Sequence, residues 1–139
     1  MTQIKTEVSA MAVVVHRRKI LAISELIYGK ETLSLPKGHR EAGETSVDTA
    51  IRECFEETNV ILTQEDAVQE LPFYFYEFST PSNERIRKTI VPILFKVNGE
   101  GTPRPKEERI LSVRWMDMEE FLLECTYESV KEVVKQIKI

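Results

Sequence analysis

The chain has 139 residues, 42% of them hydrophobic and 8% aromatic, which is enough for one packed core and short for two. Its formal net charge is -4, so it carries no global positive field with which to hold a nucleic-acid backbone. These balances exclude a nucleic-acid polymer as partner and set the expectation of one domain over residues 1–139.

The segment Met1 to Val8 is polar and lacks the basic start and apolar stretch of a signal peptide. No apolar run reaches membrane-spanning length, so a cytoplasmic protein with no membrane association is expected. Residues Glu7 to His16 are rich in Ala and Val. After the Arg17-Arg18-Lys19 turn, Ile20 to Ile27 reads as the return strand of a hairpin. A short segment, Thr32 to Leu35, runs into Pro36-Lys37-Gly38, and Gly43 follows, so 36–44 is expected to be a structured loop. That loop feeds a helix. Thr45 with Asp48 forms a capping-box-like pair, and Val47, Ala50, Ile51, Cys54 and Thr58 recur at helical spacing. Asn59 tolerates left-handed backbone and suits the stop, giving a predicted span of Ser46 to Thr58.

Beyond the helix, Val60 to Leu62 and Ala67 to Phe78 read as strands. In the second, Phe73 and Phe75 alternate against Tyr74, Tyr76 and Phe78. Such alternation usually means core packing, and the functional reading, shared with Trp115, is a stacking wall for a base. Thr89 to Val97 pairs back across the intervening turn, with Pro92 expected at an edge or bulge. A loop over Asn98 to Glu108 precedes the strand Leu111 to Met116, and Met118 to Leu123 and Tyr127 to Ile137 read as helices. Strands and helices alternate irregularly, so the fold class is α/β, a mixed sheet with helices on both faces. Cys54 and Cys125 lie far apart with no companion Cys, which points to buried thiols and to neither a disulfide framework nor a zinc site.

Rotating about 100° per residue along the central helix puts Glu53, Glu56 and Glu57 on one arc beside the apolar stripe. Their i,i+3 and i,i+4 repulsions each cost a few tenths of a kcal/mol in an isolated helix, roughly, and a cation would reverse that penalty. Oxygen-only ligands select a hard cation, Mg²⁺ or Mn²⁺. Glu57 borders the apolar arc and is expected to be partly buried, with Arg52 as its partner. Acidic helix faces are usually solvated surface, so the spacing must carry the case.

The string Gly38-His39-Arg40-Glu41-Ala42-Gly43-Glu44-Thr45-Ser46-Val47-Asp48-Thr49-Ala50-Ile51-Arg52-Glu53-Cys54-Phe55-Glu56-Glu57-Thr58-Asn59-Val60 resembles the Nudix box, Gly-x5-Glu-x7-Arg-Glu-U-x-Glu-Glu-x-Gly-U with U aliphatic. It departs at Cys54, a small hydrophobe for an aliphatic residue, and at Asn59, which replaces the last glycine. Leu35-Pro36-Lys37-Gly38-His39 before the box and the Trp115 strand with Met118-Glu119-Glu120 after it also look like parts of a MutT-like Nudix hydrolase.

The resemblance implies an α/β/α sandwich in which Glu53, Glu56, Glu57 and the Gly38 carbonyl bind the metal, Arg52 orients carboxylates and Glu44 supports them. It implies a pyrophosphatase in which metal-positioned water attacks one phosphorus of a diphosphate linkage. The general base is then Glu56, Glu107 or Glu108. The substrate class is a nucleoside diphosphate derivative, with dinucleoside polyphosphates and nucleoside triphosphates ranked first. The alternative is a non-catalytic nucleotide-sensing module of the same fold. Lys37, His39 and Arg40 in the box loop, and Arg85, Arg87 and Lys88 at the turn of the middle hairpin, could face polyphosphate, with Lys37, Arg40 and Arg87 as the candidates, although charged turns are usually just solvated. A small nucleotide-like ligand is the expected partner, and the chain is expected to act as monomer or homodimer.

Overall fold

The computed structural model of the protein describes residues 3–138, so the first two residues of the polar segment Met1 to Val8 and both ends of the expected 1–139 domain lie outside the described residues. Its strands are β1 (Ile4–His16), β2 (Lys19–Ile27), β3 (Lys30–Ser34), β4 (Lys37–His39), β5 (Ala67–Glu70), β6 (Tyr74–Ser79), β7 (Arg85–Lys96) and β8 (Ile110–Asp117). The helices are α1 (Ser46–Thr58), α2 (Met118–Glu124) and α3 (Glu128–Lys135).

All eight strands join one mixed sheet. At its centre β1 runs parallel to β7, in register from Ile4 opposite Arg85 to Val15 opposite Lys96. The hairpin expected at the start is real but short. Its two pairs are Val15 with Ile20 and His16 with Lys19, after which β2 leaves β1 to pair with β3 and β8.

Alternation along β1 divides the core in two. Met11, Val13 and Val15 turn to the side covered by Phe121 of α2 and Val130, Val133 and Val134 of α3. Ala10, Ala12 and Val14 turn to the side covered by Ala50 and Cys54 of α1. Fully burying an aliphatic or aromatic side chain of this kind stabilises by about 1.5–3 kcal/mol, so the two layers hold α1 against one face and α2 and α3 against the other. The sandwich expected from the sequence is thus present. Both cysteines are buried free thiols, as expected. No helix among the described residues is long and apolar enough to cross a membrane.

Helix α1 has the predicted span. Thr45 caps it through a complete capping box with Asp48, and Asn59 ends it in left-handed backbone at φ 67° with its N–H donated to the Phe55 carbonyl. Asn therefore serves where the family pattern has glycine.

Elsewhere several expectations need correcting. Val60 to Leu62, expected as a strand, lies outside every strand in the connection from α1 to β5. The loop expected over 36–44 begins with β4, which pairs with β1 through Ser9–His39, Ala10–Gly38 and Met11–Lys37. The strand expected over Ala67 to Phe78 is two strands, and Pro92 is their reason. It lies in the interior strand β7, rather than on an edge, at the gap where β5 ends opposite Ile93 and β6 begins opposite Ile90. There the missing proline N–H breaks no ladder, and the Pro92 carbonyl accepts the Leu71 N–H at 2.9 Å. Finally, of the alternating aromatics only Tyr74 packs against the core: Phe73, Phe75, Tyr76 and Phe78 are 65%, 55%, 43% and 37% exposed.

Candidate active site

The expected box carboxylates meet at the loop end of α1, organised around two arginines. The first is Arg52. Its Nε and Nη2 donate to the two oxygens of Glu44 at 2.7 and 3.0 Å, a bidentate pair. Nη1 donates to Glu53 at 2.9 Å and, more loosely, to both oxygens of Glu56 at 3.3 Å. Nη2 also donates to the His39 carbonyl at 2.9 Å, which ties the box loop to the helix. Arg52 thus hydrogen-bonds three carboxylates and the backbone of β4, and the Glu41 carboxylate pairs with its Nη1 at 3.6 Å.

Glu44 is the anchor of this group. Besides Arg52 it accepts the Glu41 N–H and the Thr49 hydroxyl, each at 2.9 Å. The Arg52 hydrogen bond, followed by that from the Glu41 backbone, holds its carboxyl down at about 2. A carboxyl depressed in the folded state stabilises fully above its ordinary value near 4.5 and loses that contribution as pH falls toward 2. The melting temperature of Glu44→Gln is accordingly expected to lie below that of the unaltered protein at neutral pH, and the gap to close between about pH 4.5 and 2. Thermal melts across pH measure it, and a gap of constant size would show that the Glu44 charge contributes nothing.

Glu57 departs from expectation. It is buried, but its partner is Arg109, at the start of β8, instead of Arg52. The 2.6 Å bond from Arg109 Nη2 to Glu57 Oε2 is joined by a 3.0 Å bond from the Lys37 N–H to Glu57 Oε1. Arg52 is engaged on the Glu44–Glu53–Glu56 side of the helix, whereas Glu57 projects toward the β2–β8 edge. Burial and the nearby Glu53 carboxylate push the Glu57 carboxyl up to about 8, against the Lys37 N–H. Arg109 stands in the same contact as its charge-compensating partner. Glu53 is pushed up as well, first by burial, and Arg52 only partly offsets this.

Glu107 belongs with them. Its charge raises both Glu53 and Glu57, and it pairs with Arg109 Nη2 at 3.0 Å. The loop between β7 and β8 carries it there and is pinned to the end of α1. The Arg104 N–H donates to the Thr58 carbonyl at 2.9 Å, Asn59 Nδ2 donates to the Thr102 carbonyl at 3.1 Å, and Lys106 Nζ sits 3.5 Å from the Phe55 ring centroid. Trp115 Nε1 donates to the Glu100 carbonyl from the strand side at 2.9 Å, and its ring lies edge-on to His16. That makes Trp115 part of the scaffold. Glu108, the neighbour of Glu107, is exposed, with no ion pair among the described residues.

Gly38 completes the cluster. A Cβ built there would overlap the Glu53 carboxylate, so glycine is required for Glu53 to lie against the β4 backbone. Among the described residues no three His, Cys, Asp or Glu side chains enclose a metal position as they stand, because the two guanidinium groups lie between the carboxylates. The residues nonetheless suit a hard cation. All donors are oxygens, and Glu53, Glu56, Glu57 and Glu107 repel one another through a partly buried space that positive charge would relieve.

The expected phosphate-binding residues separate. Register puts Lys88 of β7 opposite both Glu7 of β1 and Tyr76 of β6, so these side chains share a face. Lys37 is opposite Met11, two alternations along β1 from Glu7, and is therefore on that face too. Burial lowers both lysine amines, and the Lys37 charge lowers that of Lys88 further. Arg87 points the other way, paired to Glu77 at 2.7 Å and stacked 5.0 Å from the Phe75 centroid. Arg40 is exposed in the box loop, held by its backbone N–H on the Val8 carbonyl at 2.9 Å. Strand parity, applied to the Arg85-Ile86-Arg87-Lys88 run, was the signal that separates Lys88 from Arg87.

Comparison with known proteins gives the family and the fold. The family model for the NUDIX domain matches residues 5–137. Phosphatase NudJ of Escherichia coli is 29% identical over 120 residues, 85% of this chain and 72% of that protein. The putative mutator protein MutT4 of Mycobacterium tuberculosis is 29% identical over 107 residues, 77% of this chain, which spans 41% of that relative's length. An Ap4A hydrolase of C. elegans, solved as a binary complex, shares the fold with a TM-score of 0.70 at 18% identity over 93% of each chain. The NUDIX domain of Shewanella oneidensis NrtR, solved with ADP ribose, gives 0.71 at 14% identity over 98% of this chain and 87% of that one. With its box carboxylates gathered at one helix end and a family match running from residue 5 to residue 137, the chain belongs to the Nudix hydrolase family.

Proposed function

We propose that this chain is a single-domain, divalent-metal-dependent hydrolase that cleaves a diphosphate linkage in a nucleoside diphosphate derivative, acting in the cytoplasm as monomer or homodimer. Dinucleoside polyphosphates and nucleoside triphosphates are the first candidate substrates. The observation that carries the reading is the meeting of Glu53, Glu56, Glu57 and Glu107 beside a glycine whose missing side chain leaves the Glu53 carboxylate its room.

Glu53, Glu56, Glu57 and the Gly38 carbonyl would hold Mg²⁺ or Mn²⁺. When bound, that ion neutralises phosphate charge and makes water a better nucleophile. Arg52 aims Glu53 and Glu56, and Glu44 fixes Arg52. Glu56 has the most exposed side chain of the three box carboxylates, at 46%, and can take a proton from water, with Glu107 the second candidate from the loop. We place Glu107 ahead of Glu108 in this role because Glu107 pairs with Arg109 beside Glu57, whereas Glu108 is exposed with no ion pair among the described residues.

Lys37 and Lys88 favour polyphosphate. Each amine is partly desolvated and each repels the other, so an anion between them relieves both costs. Lys37 also links the two parts of the site, since its N–H binds Glu57. Tyr76, opposite Lys88 and 43% exposed, offers a ring face for a base. The solved neighbours include proteins named Ap4A hydrolase and dihydroneopterin triphosphate pyrophosphohydrolase, and their ligand chemistry is consistent with this reading.

The test is a panel of dinucleoside polyphosphates, nucleoside triphosphates and sugar nucleotides, incubated with protein and Mg²⁺ or Mn²⁺ and followed by released phosphate and pyrophosphate. Metal-dependent turnover of one class is expected, with Lys88→Met raising KM about tenfold through loss of one charged contact. Tight metal-dependent nucleotide binding without turnover would instead favour the sensing module.

A further inference from the structure

Three carboxylates converge on Arg109, and two of them, Glu25 and Glu107, lie outside the box. Nη2 meets Glu57 at 2.6 Å and Glu107 at 3.0 Å, so two acidic side chains from different elements close on a single cationic atom. Nη1 meets Glu25 of β2. Glu25 and Glu57 are 8% and 1% exposed, which is costly for two ionised carboxyls unless a cation lies between them.

The surrounding backbone is arranged for that contact. The ladder between β2 and β8 shifts register between Ser24 and Glu25, an irregularity of the kind that re-aims a side chain. The Glu25 carbonyl accepts the Thr32 hydroxyl at 3.1 Å, while the Arg109 carbonyl accepts the Leu26 N–H at 2.9 Å. The Glu107 carbonyl takes the Ile110 N–H at 3.0 Å, closing the turn that presents Glu107 and Arg109 together. Both ends of the ion-pair group are therefore held by backbone bonds.

We infer that Arg109 is a built-in cation occupying the Glu25–Glu57–Glu107 end of the site. The chain consequently loads one divalent ion fewer than those carboxylates would otherwise take. Arg109 is also a positioning residue, holding Glu57 and Glu107 toward the ion that Glu53, Glu56 and Glu57 would bind. This inference rests on the metal-dependent reading given above. A guanidinium suits the task because its planar fork reaches several carboxylates at once, where an ammonium supplies the charge from a single point.

The experiment is a count of bound Mn²⁺ per chain, by electron paramagnetic resonance of the free ion, for the unaltered protein, Arg109→Gln and Arg109→Lys, with thermal melts of each with and without Mn²⁺. Arg109→Gln is expected to take up one more Mn²⁺ than the unaltered chain, to melt lower without metal and to gain more on its addition. Arg109→Lys, which keeps the charge, should keep the unaltered count. If Arg109→Gln does not fold without metal, Mn²⁺ should restore it, and failure to do so overturns the inference. An unchanged count in Arg109→Gln, or a raised count in Arg109→Lys, also overturns it and leaves the hydrolase reading standing. Absence of Mn²⁺ binding by the unaltered protein counts against the hydrolase reading instead, and carries the inference down with it unless Arg109→Gln alone binds the ion.

Discussion

Replacing Glu53 or Glu56 by Gln should lower kcat by about 10²–10⁴-fold, the range general acid–base catalysis commonly supplies, while the protein stays folded. The substitution keeps the shape of the side chain and removes its charge. For Glu56, whose side chain is 46% exposed and whose bonds to Arg52 are 3.3 Å long, little structural cost follows. For Glu53 the two readouts should move in opposite directions. Its carboxyl is pushed up by burial, so the amide removes a charge that the metal-free fold disfavours, and the melting temperature without metal should be equal or higher. Activity falls because that same charge is what the site offers to a cation. Steady-state kinetics and metal-free melts, run side by side, distinguish the cases. A variant that melts lower and loses activity in proportion would mean that Glu53 is merely structural, and one that retains turnover would remove it from the site.

The parts of this structure that were legible in the sequence are those set by neighbours in the chain. Helix α1 is one, because its cap, apolar stripe and left-handed stop are all written within residues 45–59. The convergence of Glu53, Glu56 and Glu57 follows from the same helical spacing. What escaped was fixed across the sheet. The partner of Glu57 lies 52 residues further on, and no periodicity links Glu57 to Arg109. Glu107 and Glu108 are adjacent and chemically alike, and nothing local in the sequence marks Glu107 as the one that pairs with Arg109. The break between β5 and β6 is set by Pro92 in the partner strand, so the unbroken aromatic alternation of Tyr74 to Phe78 gave no sign of where β6 begins. Of these aromatics Tyr74 alone packs against the core cluster that includes Val130, Val133 and Val134 of α3, and the rest of β6 is exposed.

Arg52→Lys should be nearly as damaging as removing a carboxylate, with kcat reduced by about 10²-fold, a loss that misplacement by an ångström can cause. The charge is conserved and the geometry is not. Arg52 delivers separate N–H groups to Glu44, Glu53, Glu56 and the His39 carbonyl from one plane, and a lysine ammonium at the end of a flexible stem cannot reach all four. The bidentate pair with Glu44 is the strongest of these contacts, so the lysine should keep to Glu44 and release Glu53 and Glu56. Those two carboxylates then lose their aim, and β4 loses its tie to the helix. Because Glu44 still accepts the Glu41 N–H and the Thr49 hydroxyl, the capped start of α1 should survive and the melting temperature should fall only modestly. The measurement is kcat and KM together with Mn²⁺ affinity. A loss confined to kcat and metal affinity would assign Arg52 to aiming the metal-facing carboxylates. Full activity in Arg52→Lys would mean that charge alone suffices there and that the planar fork is dispensable.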